Sequence, residues 1–190
     1  MGPQLHGARR AARPARDRRR LRRARRRRAR VVVRAVRPAG GPCRRARPGV
    51  GYNPRVPHDW TLVVADETGL PAVAGICESL PDDARGLAIV EIPEAADAQE
   101  FRVPAGVELR WVVREGVAPA GTDPHALLPG ALALDAVRSA DLPSGPVYAY
   151  AVGESTLATG VRRHLVNDRG VPKTHVDFVG YWRHGHAASS

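Results

Sequence analysis

From Trp60 onward, apolar residues fall into two alternating spacings. WTLVVA (Trp60 to Ala65) is a continuous apolar run with β-branched members, the length of a strand buried on both faces. After a short polar turn, Leu70, Val73, Ala74, Cys77 and Leu80 recur at helical spacing. GLAIVEI (Gly86 to Ile92) predicts a second strand, EAADAQEF (Glu94 to Phe101) a short helix or loop, and VELRWVV (Val107 to Val113) a third strand. Pro and Gly throughout Arg114 to Gly130 predict a loop. ALALDAVRSADL (Ala131 to Leu142) then reads as a helix and PVYAYAV (Pro146 to Val152) as a fourth strand. STLATGVRRHLVNDRG follows as a helix closed by Gly170, and HVDFVGYW (His175 to Trp182) as a fifth strand. Strands joined by helical crossovers imply an α/β fold, a doubly wound parallel five-stranded sheet with helices on both faces. Ligands in such folds sit beyond the carboxyl ends of the strands, so the residues there carry the functional question.

No such periodicity precedes Gly51. The net charge of +11 splits into +18 for residues 1–50, with 19 Arg and one acid, Asp17, and −7 for residues 51–190. Residues 8–30 have little to bury and repel one another, which predicts disorder. Arg, Ala, Pro and Gly supply 38 of the first 50 positions. All four have codons beginning with two G or C bases, a bias that GC-rich DNA read in the wrong frame would produce. The competing reading is an arginine-rich arm for polyanions, but no Phe, Tyr or Trp precedes Tyr52 to stack on bases, so binding to nucleic acid would be non-specific. The chain thus divides into residues 1–50, a folded domain over 51–185 and a disordered tail, 186–190.

Cys43 and Cys77 stand outside any CxxC or Cys/His spacing, which argues against zinc or an iron–sulfur cluster. No apolar run reaches the roughly 20 residues of a membrane span. Charge without an apolar segment at the N-terminus is not a secretory signal, leaving a cytoplasmic protein as the expectation.

The turn after the first strand, ADETGLPA (Ala65 to Ala72), contains no GxGxxG or P-loop. Thr68 could cap the helix, Gly69 supply backbone freedom and Pro71 occupy an early helical position, leaving N–H groups for an anion. Asp66 and Glu67 are awkward neighbours for a pyrophosphate. The bland alternative is a helix cap and nothing more.

The string DWTLVVADETGLPAVAGICESLP resembles the DWxLLxGDETALPAIxxxLExLP signature of siderophore-interacting proteins. VEIPEAADAQE, VGES, RRHLVNDRGVPKTHV and GYWRHG match further motifs of that family, in order and in register. The resemblance implies the C-terminal, nicotinamide-binding half of a flavin-dependent ferric-siderophore reductase of the ferredoxin-reductase superfamily. By that resemblance Asp66, Glu67, Thr68 and Gly69 line the cofactor site. Arg114, in VVRE, is similar to the residue that holds the 2′-phosphate in NADPH-dependent relatives, with an exposed strand-ending Arg as the alternative. Gly153 would let nicotinamide approach, and Glu154 and Ser155 begin the next helix. Tyr181, Trp182 and Arg183 follow as residues near the flavin.

The implied chemistry is hydride transfer from NADPH to FAD and electron transfer to a ferric siderophore, with no catalytic acid, base or nucleophile. The family's flavin barrel and its RxYT or RxYS motif are not found before Gly51, where residues 1–50 would be its frameshifted remnant. GYNPR, Gly51 to Arg55, looks like the last in-register piece of that barrel. An inactive or NADPH-binding-only fragment and an arginine-tailed polyanion-binding protein are the alternatives.

Overall fold

The computed structural model of the chain describes residues 52–117 and 127–186. The expectations for residues 1–50, for the middle of the Pro- and Gly-rich loop and for the last four residues lie outside that range.

The apolar runs form strands β1 (Trp60–Ala65), β2 (Arg85–Ile92), β3 (Gly106–Val113), β4 (Val147–Glu154) and β5 (Val176–Trp182). Between them lie helices α1 (Leu70–Ser79), α2 (Ala131–Ser139) and α3 (Ser155–Arg163). Glu94 to Phe101, expected as a short helix or loop, is a loop with one 3₁₀ turn, Ala95–Asp97. All pairings are parallel and the order is β3-β2-β1-β4-β5. The chain winds outward from β1 in one direction through β2 and β3, then returns to the other side of β1 for β4 and β5. The crevice between the carboxyl ends of β1 and β4 is therefore the topological switch point, where such sheets take ligands.

Continuous apolar strands can be buried on both faces, and alternate residues feed two cores. Leu62, Val64, Ile89, Ala149 and Ala151 pack with Ala133 and Val137 of α2 and Leu157 and Val161 of α3. On the opposite face, Val63, Ala65, Val90, Trp111 and Val152 pack with Leu70, Val73, Ile76 and Cys77 of α1. Ile76, not Ala74, supplies the middle of the α1 stripe, the larger side chain reaching the sheet while Ala74 stays part-exposed. Each fully buried aliphatic side chain contributes about 1.5–3 kcal/mol.

On the same face of β4, Tyr52 stands edge-on to Tyr148 and Tyr150, with centroids 5.7 and 5.8 Å away. Beyond them Val179 and Tyr181 of β5 are 39% and 48% exposed. The long predicted helix after β4 is α-helical only to Arg163 and finishes in a π-type turn, His164–Asp168. Gly170, at φ +70°, then reverses the chain, and the Val171 amide donates to the Leu165 carbonyl.

Candidate functional site

Asp66 occupies the centre of the switch point, immediately after β1, and is fully buried. Its Oδ1 accepts from the Thr68 backbone N–H at 2.9 Å and from the Thr68 hydroxyl. Its Oδ2 accepts from the Glu154 N–H across the crevice at 2.6 Å. The carboxylate thus caps the 3₁₀ turn Glu67–Gly69 and ties β1 to β4. Space for it comes from Gly153, which lies at φ +121° and whose missing Cβ would fall 2.5 Å from the Asp66 Cγ.

This arrangement changes three sequence expectations. Thr68 does not cap α1; its hydroxyl and amide serve Asp66, because the 3₁₀ turn precedes the helix. Gly153 does not follow the fourth strand but lies within β4, where the Asp66 side chain packs against it. Gly69 is needed for proximity and not for backbone freedom. Its φ is an ordinary −89°, while a Cβ there would meet Ala65 and Val152 at 2.7 Å. Pro71 does occupy the first turn of α1, as its fixed φ favours.

Toward β2 and β3 the site is built on Arg114, whose side chain is fully buried. Its guanidinium grips Glu67 with two bonds, 2.6 and 2.9 Å, and Glu91 with one at 3.0 Å. Burial works against the guanidinium's charge, but the two carboxylates outweigh it and hold the group cationic. Glu91, also fully buried, accepts in addition from the Gly130 and Ala133 amides at 2.9 and 2.8 Å, anchoring the start of α2. Burial pushes the Glu91 carboxyl up from its ordinary value, against the pull of the Ala133 amide, Arg114 and the Gly130 amide. Sequence reasoning missed Glu91. The signal was a lone acid in the apolar strand GLAIVEI, which can be buried only if paired.

Toward β5, Glu154 is almost wholly buried and caps α3, accepting from the Thr156 and Leu157 amides. Its other oxygen accepts from the His184 amide at 3.2 Å. Burial pushes the Glu154 carboxyl up, but the His184, Thr156 and Leu157 donors prevail and hold it below 4.5. The Ser155 hydroxyl donates to the Trp182 carbonyl at 2.7 Å, so this end of β5 is fastened to the start of α3. The Trp182 indole N–H is buried without a partner among the described residues. Tyr181 and Arg183 are exposed.

Of the residues singled out in sequence, Asp66, Thr68, Gly69, Gly153 and Glu154 meet in the crevice. Glu67 and Arg114 meet beside it, and Ser155 meets Trp182 on the far side. The fit to a dinucleotide is uneven. Tyr181 offers an open aromatic face to a flat ring. A phosphate does not fit the turn after β1 as it stands, because the Thr68, Gly69 and Leu70 amides are already bonded to Asp66 Oδ1, the Asp66 carbonyl and the Glu67 carbonyl. Nor does one fit at Arg114, whose fork is filled by Glu67. In this structure the guanidinium expected to grip a phosphate holds an internal carboxylate. Among the described residues no cluster suits a metal ion, and no helix is long and apolar enough to cross a membrane.

The match to the family of siderophore-interacting proteins runs over residues 58–185 and takes in all five strands. The chain belongs to that family. Among family relatives it is similar to the ferric vibriobactin reductase ViuB of Vibrio cholerae, at 26% identity over 78% of this chain and 55% of that protein. A siderophore utilization protein from T. fusca shares the fold at 37% identity and a TM-score of 0.58, over 73% of this chain and 49% of that one. The siderophore-interacting protein SipS from Aeromonas hydrophila is 34% identical with a TM-score of 0.54, over 68% and 53% of the two chains. As a siderophore-interacting protein the chain spans about half the length of the curated relatives it matches, 52% and 55%.

Proposed function

We propose that the chain serves as the nicotinamide-nucleotide half of a ferric-siderophore reductase, in which reducing equivalents from NADPH pass through FAD to the iron of a ferric siderophore. The observation that carries this reading is the switch point itself. A parallel sheet in the order β3-β2-β1-β4-β5 brings the family motifs Asp66 to Gly69, Gly153 to Ser155 and Gly180 to Arg183 to one edge. A hydride carries two electrons and each ferric centre takes one, so one NADPH would reduce two ferric siderophores, releasing iron as the more weakly held Fe(II). The protein's part is placement, since the cofactors carry the difficult chemistry.

The exposed strip of Val179 and Tyr181, which Tyr52 adjoins, supports docking of a flavin-bearing half against β4 and β5. A cytoplasmic location accords with the need for a nicotinamide reductant. Residues 51–185 would then form the nucleotide domain, with residues 1–50 as an arm that adheres non-specifically to polyanions. A chain that binds nucleotide without reductase activity is the second reading. The two separate in one assay. Purified chain with added FAD, NADPH and a ferric siderophore should release Fe(II) to a chromogenic chelator faster than FAD and NADPH alone. Nucleotide binding without acceleration would establish the second reading, and absence of nucleotide binding would sink both.

A further inference from the structure

We infer that the four tyrosines of this chain form a relay that carries a one-electron oxidising equivalent from Tyr181, at the carboxyl edge of the sheet, to Tyr148 near the opposite edge. The inference goes beyond the proposed reduction and rests on it only for the source of the oxidant.

The chain has four tyrosines, and the fold joins all of them in one series. Tyr181, 48% exposed, is the open end. Its phenol is a hydrogen-bonding neighbour of the Tyr150 phenol, whose residue is only 3% exposed. Tyr52 bridges Tyr150 and Tyr148, edge-on to both at 5.8 and 5.7 Å. Tyr148 is 2% exposed, and the His58 ring is tilted against it at 5.6 Å. His58 in turn lines a cleft at the amino ends of the strands, together with Asp59, Thr61 and Arg85. The series thus follows β4 nearly end to end, about 20 Å at the usual rise per residue. Packing alone does not ask for phenols here. Val63, Val90 and Val152 fill other positions of the same core, and a buried phenol needs a polar partner that an aliphatic side chain does not.

The chemistry at the inner end favours oxidation. Burial, then the Asp177 carboxylate, pushes the Tyr148 phenol up from its ordinary value, so it is protonated when it loses an electron. The electron leaves readily only if the proton leaves too, and the phenol donates to Asp177, a base already in place. The oxidant is hydroxyl radical, formed with hydroxide when Fe(II) released at the crevice reduces hydrogen peroxide. That radical takes a hydrogen atom from the Tyr181 phenol and becomes water. One electron then moves from Tyr148 through Tyr52 and Tyr150 to Tyr181. Tyr181 recovers its proton from solvent, and the Tyr148 proton passes to Asp177. A small thiol in the amino-end cleft gives up one electron to Tyr148 and its proton to water, becoming a thiyl radical while Asp177 returns the proton it held. The oxidising equivalent is thereby drained away from the crevice.

The test uses the full-length chain in a Cys43→Ser background, without nucleotide, iron or siderophore. The one-electron oxidant is tris(bipyridyl)ruthenium(III), generated by a flash with persulfate, and oxidised tyrosines are mapped by mass spectrometry. The parent protein should show product at the buried Tyr148, and Tyr181→Phe should lower product at both Tyr150 and Tyr148. Tyr52→Phe keeps the ring and loses only a 3.4 Å contact with the Thr61 hydroxyl, but phenylalanine is not oxidised. Product at Tyr148 should then fall about tenfold, equivalent to ~1.4 kcal/mol in the transfer barrier, while product at Tyr150 persists. Asp177→Asn leaves every ring in place and removes the base, so it should lower product at Tyr148 alone. No oxidation of Tyr148 in the parent, or equal oxidation in the parent and in Tyr52→Phe or Asp177→Asn, would overturn the inference. So would unchanged product at Tyr150 in Tyr181→Phe. A relay that operates in a chain without reductase activity would defeat the proposed function and leave the relay standing.

Discussion

Gly153→Ala is expected to be among the most damaging single-methyl changes available to this chain. At φ +121° an L side chain is strained, at a cost of about 1–3 kcal/mol. The added Cβ would also lie 2.5 Å from both Cγ and Oδ1 of Asp66. That carboxylate cannot yield cheaply, because it is fully buried and accepts from Thr68 and Glu154. Forcing it aside leaves a buried charge short of donors, costing roughly a further 1–3 kcal/mol or more. Together the terms reach about 2–6 kcal/mol, a large share of the roughly 5–15 kcal/mol that holds an ordinary domain together.

Urea denaturation followed by far-ultraviolet circular dichroism measures the loss. Gly75→Ala is the matched control, since nothing lies within 4 Å of its added Cβ on α1, and it should be stabilising by ~0.5–1 kcal/mol. Asp66→Ala combined with Gly153→Ala should cost less than the sum of the two single changes, because the first removes what the second strikes. A Gly153→Ala protein within about 1 kcal/mol of wild type would refute the reasoning.

Glu154 has its folded-state pKa held below 4.5, so its stabilising contribution is present above that pH and disappears as pH falls through the folded value. The stability gap between wild type and Glu154→Gln should therefore narrow on acidification below about pH 4.5, and a gap constant from pH 7 to pH 3 in urea titrations would contradict this. Burial pushes the Cys77 thiol up to about 12. In a Cys43→Ser background, iodoacetamide should label Cys77 at pH 8 only as fast as the protein opens, and labelling at the rate of a free thiol would show the site to be accessible. Trp182→Phe removes an indole N–H that has no partner among the described residues, so thermal denaturation should shift little or upward, whereas a loss above ~1 kcal/mol would reveal a hidden acceptor.

Much of this architecture was legible in the sequence because the strands are buried on both faces. WTLVVA needed no alternation to be recognised, and its predicted bounds coincide with β1. The limits of β4 were less visible. Gly153 and Glu154 extend that strand because their polar demands are met by Asp66 and by the α3 amides, partners brought in by the crossover from β1 and by the following helix. Similarly, the family motif drew attention to Arg114 but not to what it binds. Its partners include Glu67, 47 residues earlier, and Glu91, 23 residues earlier, and only the parallel register brings the ends of β1, β2 and β3 together. The short turn before α1 concealed its capping logic for a local reason, since an Asp two residues before a Thr can reverse which of them accepts.

The two margins of the sheet are unequally protected against joining a foreign strand. On β3, Glu108 pairs with Arg110, so charge lies along that border. On β5 the outer border follows Phe178, Val179, Gly180 and Tyr181, with no proline or lysine in the strand. A backbone ladder unpaired among the described residues and flanked by apolar side chains is a template for further β-pairing. Aggregation of the chain when produced alone should thus rise with concentration, and a basic substitution at Val179 is where to relieve it.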